Sequence, residues 1–306
     1  MLVRVAWYYY KENLTQDQIA AKLNISRNKI VRILEKVRTE GIVQFHIKGQ
    51  TANCLEIEHE FKQRFQLKDA FIIPTPRENM SDSLAKAAAQ YLEERLQPND
   101  FIGFGWGDAV ARTIQHLSIN PDDNISVVTL TGGVNYYYFH NKYDQYDVKL
   151  DKFNGRLFVI PSPLLASTEE MCANILSEPA VKEILELGNI ISYAVIGIGG
   201  LSSESTIIKE EKMTLNELAY IQKQNAVGDI LGQFYDKNGT VLDLPHHRRI
   251  VGVQLDRLKN MQNVIGVAGG QHKIAAIFGA LRGGYLDTLI TDEQTALELL
   301  KQEVSE

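Results

Sequence analysis

Leu14–Gly41, LTQDQIAAKLNISRNKIVRILEKVRTEG, decides how the first part of this chain folds. Thr15 with Gln18 three positions on is a capping box, in which hydroxyl and amide side chains satisfy free backbone groups at a helix start. Ile19, Ala20 and Leu23 then share one face at helical spacing. Asn24-Ile25 leaves room only for a tight turn, with Ile25 filling the gap between helices. Ser26 is a second cap, and Ile30, Ile33, Leu34 and Val37 give the next helix an apolar stripe. Arg27, Asn28, Lys29 and Arg32 fall on the opposite face, as donors suited to phosphates and base edges at a recognition helix's first turns. Thr15 and Ser26, at the two helix starts, belong with them. Helix, turn and basic helix together imply a DNA-binding head.

Gly41 should stop that second helix, and Ile42–Ile47 alternates like a short wing strand. Upstream, Val3, Ala6, Trp7 and Tyr10 form a stripe expected to pack a first helix behind the motif. Lys48–Asn53 (KGQTAN) is polar and turn-like, a linker between a head at residues 1–50 and a body at 54–306. Leu55, Glu58, Phe61 and Phe65 mark the amphipathic helix that opens the body, or a dimer contact.

Charge divides along the same line. The chain of 306 residues carries a net charge of −6. Residues 1–50 nevertheless hold nine Lys/Arg against four Asp/Glu, leaving 23 basic and 34 acidic residues for the rest. A basic head on an acidic body confines phosphate-attracting surface to the head. With 44% hydrophobic and 23% charged residues the composition is that of a globular protein. Two cysteines exclude a disulfide framework, and neither a spanning apolar run nor a signal-peptide pattern is present, so a cytoplasmic location is expected.

From Ala70 onward short apolar runs alternate with helical stretches. The runs are 71–73, 101–104, 127–130, 157–160, 193–198, 250–253, 264–268 and 288–290, with helices expected at 82–96 and 108–117 among others. Buried strands separated by helices predict an α/β body with a mainly parallel sheet. Ligands bind such sheets beyond the carboxyl ends of the strands. Four of those ends are glycine-rich: Gly103–Gly107, Thr131–Gly133, Gly197–Gly200 and Gly269–Lys273. Backbone amides at helix starts hold anions, glycine allows close approach, and Lys273 adds a point charge, so a phosphate-carrying ligand is expected. Gly197–Gly200, taken alone, reads as tight packing. None of the loops has dinucleotide or P-loop spacing. His246-His247-Arg248-Arg249 reads as a solvated loop rather than a metal site, because two cations oppose a third. No nucleophile–base pair stands out; no cofactor or metal is expected.

GFGWGDA (103–109), TLTGG (129–133), IPSPLLAS (160–167), AVIGIGG (194–200), AVGDILGQFYDKNG (226–239), VGVAGGQHK (265–273) and GALRGGYLDTLITDEQTA (279–296), together with the head, resemble the SorC family of bacterial sugar-responsive transcriptional regulators. RVAWYYY, VVTLTGG and AVGDILGQFYD are most similar to the subgroup that represses autoinducer-2 uptake operons; regulators of polyol and pentitol operons are close relatives. The resemblance implies a winged helix-turn-helix domain followed by a Rossmann-like effector and oligomerisation domain related to phosphosugar isomerases. It also implies dimers or tetramers on operator DNA, released or reshaped by a phosphorylated sugar, polyol or autoinducer-2. By position it assigns Lys273 to the phosphate, Asp229 and Leu231 to the sugar, Asp229 as hydroxyl acceptor, Gly105, Trp106, Gly107 and Asp108 to one phosphate loop, and Thr131, Gly132 and Gly133 to its neighbour. Some relatives carry Lys or Arg where this chain has Thr131, which leaves no covalent capture or second cation there. Val134–Asn154 is longer and more aromatic than in the autoinducer-2 subgroup. The competing expectation is a phosphosugar isomerase with an appended head, for which Asp229 is the only candidate base.

Overall fold

The computed structural model describes residues 1–39, 42–43, 52–133 and 153–302. The expected wing beyond Val43, the stop at Gly41, residues 48–51 of the expected linker and nearly all of 134–154 lie outside the described residues, and Ala52-Asn53, expected as linker, are already helical. The chain forms two compact units, Met1–Ala52 and Asn53–Glu306.

In the first unit α1 (Leu2–Tyr10), α2 (Gln16–Leu23) and α3 (Arg27–Thr39) close around Val5, Ile19, Ala20, Ile30 and Leu34. The capping box is formed: Thr15 N–H donates to Gln18 Oε1 at 2.8 Å, and Gln18 N–H donates to Thr15 Oγ1 at 3.3 Å. Such a cap is worth about 1 kcal/mol. Asn24 makes the turn at φ 52°, with its N–H returning to the last turn of α2. Asparagine tolerates this left-handed conformation because its short amide bonds locally. The stripe expected on α1 is buried only in part, through Ala6 and the half-buried Tyr10. Val5 and Ala6 face the core, whereas Val3 and Trp7 are 67% and 56% exposed. LVRVAWYYY is apolar nearly all round, so its spacing admits more than one stripe, and packing against α3 selects the one through Val5.

The second unit opens with α4 (Ala52–Phe65), whose buried side chains are Cys54, Ile57 and Phe61, with Leu55 exposed. Seven strands then build one sheet in the order β1-β10-β9-β5-β2-β3-β4, every neighbouring pair parallel. They are β1 (Asp69–Ile73), β2 (Phe101–Phe104), β3 (Ser126–Thr129), β4 (Leu157–Phe158), β5 (Tyr193–Gly197), β9 (Val264–Val267) and β10 (Thr288–Asp292). All residues of β3, β9 and β10 are buried, as expected of a sheet covered on both faces. One face packs beneath α5 (Met80–Glu93) and α6 (Asp108–His116). The other carries α4, the later helix of residues 274–282 and the final helix of 293–300. At the sheet edge Ile72 N–H donates to Glu58 Oε1 of α4 at 2.8 Å, which satisfies an edge amide.

Two features depart from the sequence pattern. Ile250–Val253 is not a strand of this sheet; it makes single bridges to Leu165 and Thr131. Its backbone is satisfied by loops, with Val251 N–H on Leu164 O and Val253 N–H on Leu130 O, so an apolar buried run needs no ladder. A second sheet, β6 (Gly199–Gly200), β7 (Gly228–Ile230) and β8 (Gln233–Tyr235), is antiparallel and too short to announce itself by periodicity.

The strand order sets the site. From β2 the chain runs outward through β3 to β4; from β5 it runs outward the other way through β9 to β10. Connections therefore diverge between β2 and β5, which opens a crevice above their carboxyl ends. Those ends lead into Gly105–Asp108 and Ile198–Gly200.

Candidate functional site

A cavity of about 460 Å³ lies in that crevice, lined by Trp106, Gly107, Asp108, Arg112, Gly197–Gly200, Asp229, His272 and Lys273 and rimmed by Ser81, Ser202, Ser205, Thr206, Lys209 and Glu210. Its size falls in the range of small-molecule sites, roughly 300–1,000 Å³.

Asp229 reaches it from β7, which pairs with β6 so that Asp229 stands opposite Gly199. A Cβ on Gly199 would overlap Asp229 Oδ1, so glycine is required for the carboxylate to lie there. The other oxygen, Oδ2, accepts from Gly232 N–H at 3.1 Å across the β7–β8 turn. Burial pushes the Asp229 carboxyl up to about 6, against the opposing pull of the Gly232 hydrogen bond and the Lys273 charge. Leu231 makes that turn at φ 53°. Its side chain is buried against Gly105, where a Cβ would come within 2.8 Å of Leu231 Cδ2. Gly105 and Leu231 therefore brace the hairpin and do not line the cavity.

Lys273 enters from the opposite flank. Gly270 turns at φ +100°, Lys273 N–H donates to Gly270 O at 2.9 Å, and α12 (Ile274–Arg282) begins; α7 to α11 are the intervening helices 169–177, 179–186, 206–209, 215–223 and 255–258. The lysine stem passes Gly200, 3.6 Å from where a Cβ there would stand. Among the described residues the ammonium has no hydrogen bond or ion pair. Burial lowers its pKa, while the charges of Asp229 and Asp108 oppose the shift. Asp108 is itself held by Arg112, whose Nε donates to both carboxylate oxygens at 3.1 and 3.0 Å. Gly107, the N-cap of α6, sits at φ +119° with open space on its Cβ side, so a ligand can approach the helix start.

The structure thus brings together Trp106, Gly107, Asp108, Asp229 and Lys273, and leaves Gly105, Leu231, Thr131, Gly132 and Gly133 out of the lining. Thr131 is fully buried beneath Gly252, and Gly132 and Gly133 are packed against Ser162–Leu164. These three follow β3, one strand away from the divergence point. Gly197–Gly200, read from sequence as packing, forms a wall, because β5 is a strand at that point. Arg112, Ser202, Ser205 and His272 were missed; only the Asp108–Arg112 spacing of one helical turn was a signal in the sequence. His246 and His247 are not in a solvated loop either. His247 stacks on Phe234 at 5.9 Å, its Nε2 accepts from Phe234 N–H at 2.8 Å, and burial lowers both imidazoles to about 4. No group of three metal-ligating side chains occurs among the described residues.

In the first unit Thr15, Ser26, Arg27, Asn28, Lys29 and Arg32 are all exposed at the starts of α2 and α3. Lys29 N–H donates to Ser26 Oγ at 3.4 Å, and Arg27 Nε lies 3.6 Å from Asp17 Oδ1. No described helix is long and apolar enough to cross a membrane.

Comparison with known proteins gives one consistent result. Residues 50–301 match the family profile described as "Putative sugar-binding domain". The chain is 34% identical to the transcriptional regulator LsrR of Escherichia coli K12, covering 98% of this chain and 94% of that protein. It is 36% identical to LsrR of Klebsiella pneumoniae, covering 98% and 92%. Among solved structures it superposes on the full-length sorbitol operon regulator SorC of Klebsiella pneumoniae with TM-score 0.72 at 26% identity, covering 98% of each chain.

Proposed function

Because this chain belongs to the SorC family of sugar-binding transcriptional regulators, we propose that it is the effector-controlled repressor of a carbohydrate, polyol or autoinducer-2 uptake operon, acting in the cytoplasm as a dimer or tetramer. Residues 1–50 are the DNA-binding domain, with Arg27, Asn28, Lys29 and Arg32 toward the operator and Thr15 and Ser26 at the phosphates. Residues 54–306 are the effector and oligomerisation domain. The observation that carries this reading is the presence, in one cavity, of Lys273, whose ammonium has no hydrogen bond or ion pair among the described residues, and a buried carboxylate, Asp229. A ligand with an anionic group and hydroxyls satisfies both, and a phosphorylated sugar or polyol has that chemistry. Asp229 serves as a hydroxyl acceptor rather than a base, so the protein binds its ligand and does not turn it over.

If the effector binds the DNA-free form better than the operator-bound form, linkage requires operator affinity to fall by the same factor. The test is a titration into a fluorescent duplex from the promoter beside the protein's own gene. It is run with and without a panel of phosphosugars that includes phosphorylated autoinducer-2. Tight, salt-sensitive binding relieved by one compound supports the reading. Lys273→Ala should then keep operator binding and lose most of the response. Turnover of pentose or hexosamine phosphates without operator binding would replace the regulator with an isomerase.

A further inference from the structure

The loop that presents Lys273 is held from behind by a buried hydrogen-bonded chain of Thr75, Asp292 and Thr295, none of which lines the cavity. Gly270 N–H donates to Thr295 Oγ1 at 2.7 Å. The Thr295 hydroxyl donates to Asp292 Oδ1, and Thr295 N–H donates to Asp292 Oδ2 at 3.3 Å, so Asp292 also caps α13 (Glu293–Leu300). Thr75 Oγ1 donates to Asp292 Oδ2 at 2.9 Å and accepts from Gln294 N–H at 2.8 Å. Asp292 is 1% exposed and Thr295 2%. The polarity of the chain is forced. The Gly270 amide can only donate, so an oxygen lone pair of Thr295 is turned to it and the single Thr295 proton goes to Asp292. A Cβ on Gly269 would stand 2.6 Å from Asp292 Oδ1, which places the carboxylate directly under the turn.

On the reading that Lys273 binds an anionic effector, we infer that Asp292 and Thr295 are its positioning pair: they fix the Gly269–Gly270 turn and so set where the ammonium stands. A lysine side chain has four rotatable bonds, and the one constraint the protein can impose firmly is the placement of its backbone. The Gly270 amide, already engaged by Thr295, is not a donor to the ligand. The C-terminal stretch DTLITDEQTA, far in sequence from Lys273, thereby acts on the effector through the loop it supports.

The experiment titrates inorganic phosphate calorimetrically into the full-length protein at constant ionic strength. Thr295→Val should weaken phosphate binding about tenfold, and Thr295→Ser, which keeps the hydroxyl, should stay within about twofold of the parent. Thr75→Val is the matched control. It removes one hydroxyl from the same carboxylate but leaves the Gly270 bond, so its phosphate affinity should also stay within about twofold. Where the valine variant does not fold by circular dichroism, Thr295→Ala removes the hydroxyl without added bulk. Parent-like binding by Thr295→Val or Thr295→Ala overturns the inference. So does an equal loss in Thr75→Val, which would show a general effect of weakening the Asp292 cluster. Failure of the parent to bind phosphate, or parent-like binding by Lys273→Ala, overturns the assignment of Lys273 itself and the inference with it.

Discussion

The Asp229 carboxylate occupies the space that a side chain on Gly199 would fill. Strand pairing puts these two residues opposite each other, and the absence of a Cβ on one lets the other lie flat against the strand, over the cavity. Gly199→Ala should therefore displace the carboxylate while the parallel sheet, which does not include β6, still forms. Operator binding should be retained and the effector concentration for half-release should rise at least about tenfold, the scale of one lost charge-assisted hydrogen bond. An unchanged effector response in the release titration would remove Asp229 from ligand binding.

Asp229 also makes stability depend on pH. Its carboxyl is raised from 3.8 to about 6 in the folded state. The folded protein thus holds this proton in a range where the unfolded chain has lost it, and stability falls as pH rises between about 4 and 6. The shift corresponds to on the order of 3 kcal/mol. Asp229→Asn cannot ionise, so relative to the parent it should gain stability as pH is raised from 4 to 7. Urea unfolding of both proteins across that range checks it; parallel pH profiles would show that the carboxyl is not perturbed.

Thr131 has a fully buried hydroxyl with no partner among the described residues. An unsatisfied buried polar group costs about 1–3 kcal/mol, and valine has nearly the same shape. Thr131→Val should raise the melting temperature by about 2–4 °C, the shift that about 1 kcal/mol produces in a domain of this size. Because Thr131 does not line the cavity, the effector response should not change. A lowered melting temperature would mean that the hydroxyl has a partner.

Arg27 and Arg32 lie exposed on α3, and Arg27 is only loosely paired with Asp17 across solvent. Replacing both arginines by alanine should abolish operator binding at physiological salt and leave the effector unit folded. At low salt, where residual binding is measurable, the slope of log affinity on log salt should shrink by about 2. Asp17→Ala frees Arg27 and should strengthen binding modestly. Unchanged DNA affinity in the double variant would place the DNA-contacting face elsewhere.

The two helices and the turn between Thr15 and Thr39 could be read from the sequence because caps, a turn and a stripe are local properties. Those signals act between residues at most four apart and need no distant partner. The same holds for the parallel sheet, where fully apolar runs such as Val264–Val267 announce burial on two faces. Local periodicity misjudged α1, whose nine residues are apolar on several sides, and it placed a strand at Ile250–Val253, where burial is achieved without a ladder.

By itself, then, the sequence determined the kinds of element, their order, the basic head and the residue types able to hold an anion. Which glycine loops meet was decided only by tertiary structure. Thr131–Gly133 and Gly197–Gly200 look alike as loops after apolar runs, yet only the second borders the cavity. The difference lies in the strand order: β5 lies beside β2 where the connections diverge, and β3 lies one strand beyond. Strand order is fixed by packing between segments far apart in the chain, so no short-range pattern encodes it.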